Sequence, residues 1–310
     1  MNEFDILVIG SLNCDLVVTT DRFPDPGETR SGSDFQTHCG GKGANQAYAA
    51  AALGGNVAMI GRVGTDVFGD AQSSNLSSMG VDTTLLQSDP SHPTGTALIT
   101  VNGSGENQII VVPGANGELT PNRLQSKEIQ AIQSAKIVLL QLEIPIETVS
   151  QVIHEADGSN AQVILDPAPA RPIPSEWYPS IDFLTPNLSE LGALTGTQLK
   201  ETASLADIVT SAQILSEQGC RSVIAKLGSR GALLVTQDES AYFAARTVPV
   251  VDTTAAGDCF NAAFAVALAR GCTAETAIPF AIEAASLSVT RQGAQSSMPL
   301  RDELEAFAKL

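Results

Sequence analysis

Residues 252–258 read Asp-Thr-Thr-Ala-Ala-Gly-Asp and run into an apolar stretch, 259–269, that reads as helical. Ala255, Ala256 and Gly257 then stand at the start of a helix, with the Asp258 carboxylate in its first turn. The first N–H groups of a helix have no internal partners, and the dipole there is positive. Such an end binds anions, phosphate above all. Small side chains let the anion reach the backbone. A fixed carboxylate beside it is placed to take a proton from an attacking hydroxyl. The competing reading is an Asp that only complements the helix dipole.

Other residues offer polar chemistry. Asn13 and Asp15 follow the apolar run Ile6–Ile9, and open α/β sheets bind ligands at the carboxyl ends of their strands. Asn with Asp supplies donors and acceptors for a polyol; a turn with an Asx cap explains the pair equally well. Gly40, Gly41 and Gly43 permit close backbone approach and positive φ. Lys42 and Asn45 would then project donors from a helix start, or Lys42 is an exposed lysine after a glycine-rich turn. Glu143 ends another apolar run, where a solvated carboxylate is the rival reading. Asn187 and Glu190, spaced by three after Thr185-Pro186, share one face of a helix start. Lys226-Leu227-Gly228-Ser229-Arg230-Gly231 is a glycine-punctuated turn between two strand-like runs, compatible with a plain hairpin.

The elements that must position these residues are legible as patterns. Continuous apolar runs at Ile6–Ile9, 57–60, Ile137–Leu140, 163–165, Phe183–Leu184, 223–225 and 233–235 predict buried parallel strands. Helical periodicity lies between several of them, at 44–53, 70–79, 121–134, Ile146–Ala156 and 202–218. This alternation predicts an α/β domain with a mostly parallel sheet. Segments 14–20, 29–38 and 96–112 differ: they alternate or are β-branched, with no helices between, and Asn102-Gly103-Ser104-Gly105 suits a hairpin turn. They are interleaved with the rest, so residues 1–310 read as a single domain.

Composition narrows the function. The net charge of −17 over 310 residues argues against nucleic acid and against an anionic membrane. No apolar run approaches the ~18 residues of a membrane span. The acidic start, Met1 to Asp5, lacks the basic region of a signal peptide. Five scattered cysteines, odd in number and without a Cys-x-x-Cys, fit a reducing cytosol. The histidines, at 38, 92 and 154, have no metal-ligand spacing. Gly41-Lys42 is not a Walker A loop, because no glycine stands five residues earlier and Gly43 replaces the Ser or Thr.

The 252–258 segment and Gly40-Gly41-Lys42-Gly43-Ala44-Asn45-Gln46-Ala47 together resemble the ribokinase superfamily of carbohydrate kinases. Further matches follow in the family's order: Gly10-Ser11-Leu12-Asn13-Cys14-Asp15, Gln141-Leu142-Glu143, Pro167-Ala168-Pro169, Thr185-Pro186-Asn187 and Val289-Thr290-Arg291-Gln292-Gly293. The resemblance implies a three-layer α/β/α core with a mostly parallel sheet and a small β-sheet lid, the lid coming from the three unusual segments. It implies ATP-dependent phosphorylation of D-ribose at O5, with Asp258 as base and the 255–258 backbone as anion hole. By the same resemblance, Asn13, Asp15, Gly41, Lys42, Asn45, Glu143 and Asp258 hold the sugar. Asn187, Glu190, Lys226, Gly228, Ser229, Arg230, Gly231 and Gly257 meet ATP and its Mg²⁺. Positions Asp252, Thr254, Ser288, Arg291, Gly293 and Ser297 bind K⁺, mostly through carbonyls, and two lids pack into a homodimer. Two departures are Leu188, where the family often has Glu, and Ile282, where it often has a polar residue near adenine. A sister kinase for another sugar or a nucleoside, or a non-catalytic binder, remain alternatives.

Overall fold

Strands run through the centre of the molecule in a computed structural model describing residues 4–309, so the start at 1–3 and residue 310 lie outside the described residues. The strands are β1 (Ile6–Ile9), β2 (Asn13–Thr19), β3 (Asp34–Gly40), β4 (Val57–Gly64), β5 (Leu86–Asp89), β6 (Gly95–Val101), β7 (Asn107–Val112), β8 (Ile137–Leu140), β9 (Gln162–Leu165), β10 (Phe183–Leu184), β11 (Ser222–Lys226), β12 (Ala232–Val235) and β13 (Ser240–Phe243). The helices are α1 (Lys42–Ala52), α2 (Val67–Met79), α3 (Ser126–Ser134), α4 (Ile146–Ala156), α5 (Leu188–Thr195), α6 (Leu205–Glu217), α7 (Ala256–Ala269), α8 (Ala274–Ser288) and α9 (Arg301–Phe307).

The main sheet has the order β13-β12-β11-β10-β9-β8-β1-β4-β5, parallel from β11 to β5, with β12 and β13 antiparallel at one edge. Side chains alternate across it. Val8 and Leu139 face α1, α7 and α8, whereas Leu7, Ile9, Val138 and Leu140 face α3 to α6. Three layers result, as expected. Aromatic residues are few, so alanines fill much of the first layer: Ala44, Ala47, Ala49 and Ala50 of α1 are fully buried beside Ala262 and Ala263 of α7. Phe264 supplies bulk, edge-on to Phe183 at 5.0 Å between ring centres.

A second sheet, β3-β2-β6-β7, stands apart from the first. β2 lies antiparallel to β3 and parallel to β6, and β6 pairs with β7 as a hairpin. Of the expected 29–38 strand, only the part from 34 onward pairs; before it, Arg22 and Arg30 tie a loop to Glu28 and Asp21. Some helix boundaries differ from expectation. The 121–134 helix begins at Ser126, because a 3₁₀ turn occupies Pro121–Arg123 and Gln125 with Glu128 forms the cap. α2 begins three residues early at Val67, where the Asp66 side chain accepts from Gly69 N at 2.9 Å. β5, β13, α8 and α9 were not anticipated. β5 and β13 are short and partly polar, and Pro279 interrupts the pattern of α8. No helix among the described residues is long and apolar enough to cross a membrane.

Candidate active site

The parallel strands deliver their carboxyl ends to one edge of the main sheet. Ser11 follows β1, Gln141 and Glu143 follow β8, Asp166 follows β9, Asn187 follows β10, and Lys226 closes β11. Opposite them stands the N-terminus of α7. Ala255 caps that helix in the left-handed region, with φ 57°, the one non-glycine residue of positive φ among those described. Such backbone costs an alanine roughly 1–2 kcal/mol. It turns the chain so that the helix end faces the cleft. Ala256 N donates to Thr253 O at 3.2 Å and Cys259 N to Ala255 O at 2.9 Å. Among the described residues, the N–H groups of Ala255, Gly257 and Asp258 find no acceptor. A Cβ at Gly257 would come within 3.4 Å of Lys226 Nζ, so glycine keeps open the gap between helix end and ammonium.

Asp258 is buried, 4 % exposed. Its Oδ2 accepts from Asn45 Nδ2 and its Oδ1 from Gln46 Nε2, both at 3.0 Å. Burial pushes its pKa up to about 6; Lys42 and the two amides oppose the rise, and Asp166 adds to it. On the same side, Asn13 and Asp15 alternate along β2 and so share a face. Burial, then Glu143 and Asp258, push Asp15 up to about 7. Glu143 Oε2 accepts from Ser11 Oγ at 2.5 Å and from Lys42 N at 3.1 Å. Asn13 Oδ1 accepts from Asn116 Nδ2 at 2.8 Å. Burial favours the neutral form of Lys42, but Asp258, Asp166, Glu143 and Glu190 outweigh it and raise its pKa. Gly41, at φ 88°, lies so close to β2 that a Cβ would stand 2.6 Å from Asn13 N.

Beyond Asp258, Lys226 Nζ pairs with Asp166 Oδ1 at 2.9 Å. Glu190 accepts from Asn187 N at 2.7 Å and from Asn187 Nδ2 at 2.8 Å, a capping box that opens α5. Burial raises the Glu190 pKa against the pull of Lys226. Two cavities meet here. One, of about 290 Å³, holds Lys42, Asp166, Asn187, Glu190 and Asp258 in its wall. The other, of about 420 Å³, runs between the β11–β12 hairpin and α7–α8, past Gly228, Ser229, Gly231, Phe260 and Ile282. Lys226, Gly228, Thr253, Ala256 and Gly257 line both, so the start of α7 stands where they join.

The 226–231 turn is both the hairpin and a cavity wall. Arg230 lines neither cavity; its Nη1 donates to Ala203 O at 2.7 Å. In the loop ahead of α7, Asp252 Oδ1 accepts from Thr254 N at 2.9 Å and Oδ2 accepts from Gly293 N at 2.9 Å. These bonds outweigh burial and hold Asp252 below its usual range. The hydroxyls of Ser288 and Ser297 turn to backbone carbonyls, and Arg291 makes a two-pronged pair with Glu303 at 3.0 Å. No group of three or more His, Cys, Asp or Glu among the described residues could hold a metal by side chains alone. Sequence reasoning passed over Asp166, Gln46, Gln141, Ser11 and Asn116. Asp166 carried a usable signal, since it follows β9 as Asn13 follows β1. The amides carried none.

A family model described as pfkB family carbohydrate kinase matches residues 3–301. A ribokinase from Bacillus subtilis is 44% identical over 301 residues, covering 97% of this chain and 98% of that protein. A deoxyribokinase from Salmonella typhi is 36% identical over 307 residues, covering 99% of each. The solved structure of Arabidopsis thaliana ribokinase complexed with ribose and ATP superposes with a TM-score of 0.93 at 38% identity, over 99% of both chains.

Proposed function

The chain belongs to the pfkB family of carbohydrate kinases, and from that premise we propose that it transfers the γ-phosphoryl group of ATP to O5 of D-ribose, yielding ribose 5-phosphate and ADP. The observation that carries this reading is the α7 N-terminus at the junction of two cavities, with a buried carboxylate and N–H groups that find no acceptor among the described residues. ATP takes the larger cavity, its adenine against Ile282 and its phosphates against the 226–231 turn and Lys226. Ribose lies among Asn13, Asp15, Gly41, Lys42, Asn45 and Glu143, under the lid.

Asp258 takes the proton from the 5-hydroxyl as that oxygen attacks the γ-phosphorus. The bond to the β-phosphate oxygen breaks, and charge on the transferring group meets the N–H groups of Ala255, Gly257 and Asp258. Glu190 beside Asn187 would hold Mg²⁺ through water, supplying charge neutralisation on the phosphates. Carbonyls of the loop carrying Asp252, Thr254, Ser288, Arg291, Gly293 and Ser297 would hold K⁺; equal rates in K⁺ and Na⁺ at matched ionic strength would remove that site. Residues 1–310 act as one domain with the lid inserted, in a reducing cytosol that suits the free cysteines.

ADP release with each of D-ribose, 2-deoxyribose, fructose and adenosine tests the reading. Rapid release with ribose, and little without sugar, is expected. A preference for 2-deoxyribose would move the assignment to that sugar, and no sugar-dependent release would retire it.

A further inference from the structure

Two files of amide side chains end on Asp258. Gln141 Nε2 donates to Gln46 Oε1 at 2.6 Å, and Gln46 Nε2 donates to Asp258 Oδ1 at 3.0 Å and to Asp166 Oδ2 at 3.1 Å. From the other side, Asn75 donates to Gln295, Gln295 Nε2 to Asn45 Oδ1 at 3.3 Å, and Asn45 Nδ2 to Asp258 Oδ2 at 3.0 Å. Gln46 and Gln141 are wholly buried, at 0 % exposure. Gln141 donates to the Gln46 oxygen and holds it turned away from the two carboxylates. Both Gln46 N–H groups are thereby committed, one to each acid. Gln46 thus joins the sugar-side base to the phosphate-side pair of Asp166 and Lys226.

We propose that Gln46, held in register by Gln141, is a positioning residue for phosphoryl transfer: it aims the Asp258 carboxylate at the sugar hydroxyl and keeps it ionised. The proposal rests on the kinase reading of Asp258. An amide N–H stabilises a carboxylate more than a carboxylic acid, so its removal raises the acid's pKa. The charged groups acting on Asp258 are Lys42 on α1 and Asp166 after β9, and Asp15 on β2 interacts with it; Glu190 and Lys226 share its cavity wall, and Glu143 faces Asp15 and Lys42. These charges bias its protonation. Among the described residues, only the Asn45 and Gln46 amides hydrogen-bond its oxygens and so fix their direction.

The base works when ionised, so activity rises with pH through the Asp258 pKa, near 6. Gln46→Leu, Gln141→Leu and the double variant test the clamp in two ways: the acid limb of kcat/KM for ribose, and the ¹³C NMR titration of the Asp258 carboxyl, assigned by its loss in Asp258→Asn. In Gln46→Leu both move up by about one pH unit. Gln141→Leu moves them less in the same direction, and the double variant goes no further than Gln46→Leu. An acid limb and a carboxyl titration that stay in place in folded Gln46→Leu overturn the proposal. Should that variant not fold, the same two readouts on Gln141→Leu decide it. A wild-type protein that phosphorylates no sugar would retire the kinase reading, and the carboxyl titration alone would then decide the clamp.

Discussion

Asp15 and Asp258 sit in one acidic ring, yet they suit different tasks. Two amides aim Asp258 and Lys42 opposes its rise, so it is ionised near neutrality and fit to accept a proton. Asp15 is pushed higher, to about 7, by burial and by the neighbouring carboxylates of Glu143 and Asp258. It is fit to exchange hydrogen bonds with sugar hydroxyls. Asp15→Ala should therefore weaken ribose binding by roughly 1–3 kcal/mol, about 5- to 150-fold in Kd, with ATP binding unchanged. Calorimetry with each ligand checks this, and equal losses for both would mean general damage. Of these residues, sequence exposed those beside glycine signatures or strand ends. It left Gln46 and Gln141 unassigned, because a glutamine that orients another side chain has no pattern of its own.

At the scale of elements, the site depends on how closely α1 approaches the turn after β1. Gly41 has φ 88° and no room for a Cβ beside Asn13 N, whereas Gly80, at φ 93°, has nothing within 4 Å. Both glycines relieve backbone strain of order 1–3 kcal/mol; only Gly41 also prevents a collision. Gly41→Ala should lower the melting temperature more than Gly80→Ala and weaken ribose binding as well. If the two variants match in both measurements, the close approach has no role. The core strands were legible because parallel strands buried on both faces are unbroken apolar runs. β5 and β13, at the sheet edges, lack that signature. The onset of α3 was misread because its residues suit a helix, while Pro121–Arg123 closes as a 3₁₀ turn before the cap.

Over the whole molecule, the small sheet has two faces, and the expected dimer depends on the one turned away from Asp15. The register places Ala97 and Val111 level with Asp15, and Ile99 and Ile109 level with Val17, on the face that carries Asp15, where Ile109 is 51% and Val111 50% exposed. Leu16, Leu98 and Ile110 lie level on the other face, where Leu98 is 45% and Ile110 65% exposed. An apolar face of this kind on a small sheet with open edges favours a symmetric dimer through the lids. Ile110→Asp should yield a monomer near 32.2 kDa by light scattering, while Ile99→Asp should stay dimeric and lose ribose affinity; the reverse pattern would exchange the two faces. Everything else converges on one carboxylate beside one helix end, so the most direct test is the turnover number of Asp258→Asn, the side chain changed by one atom. With the fold intact and both substrates bound, turnover should fall by about 10²–10⁴-fold, the usual contribution of a general base. Turnover above about a tenth of the wild-type value in the folded variant would show that another group takes the proton.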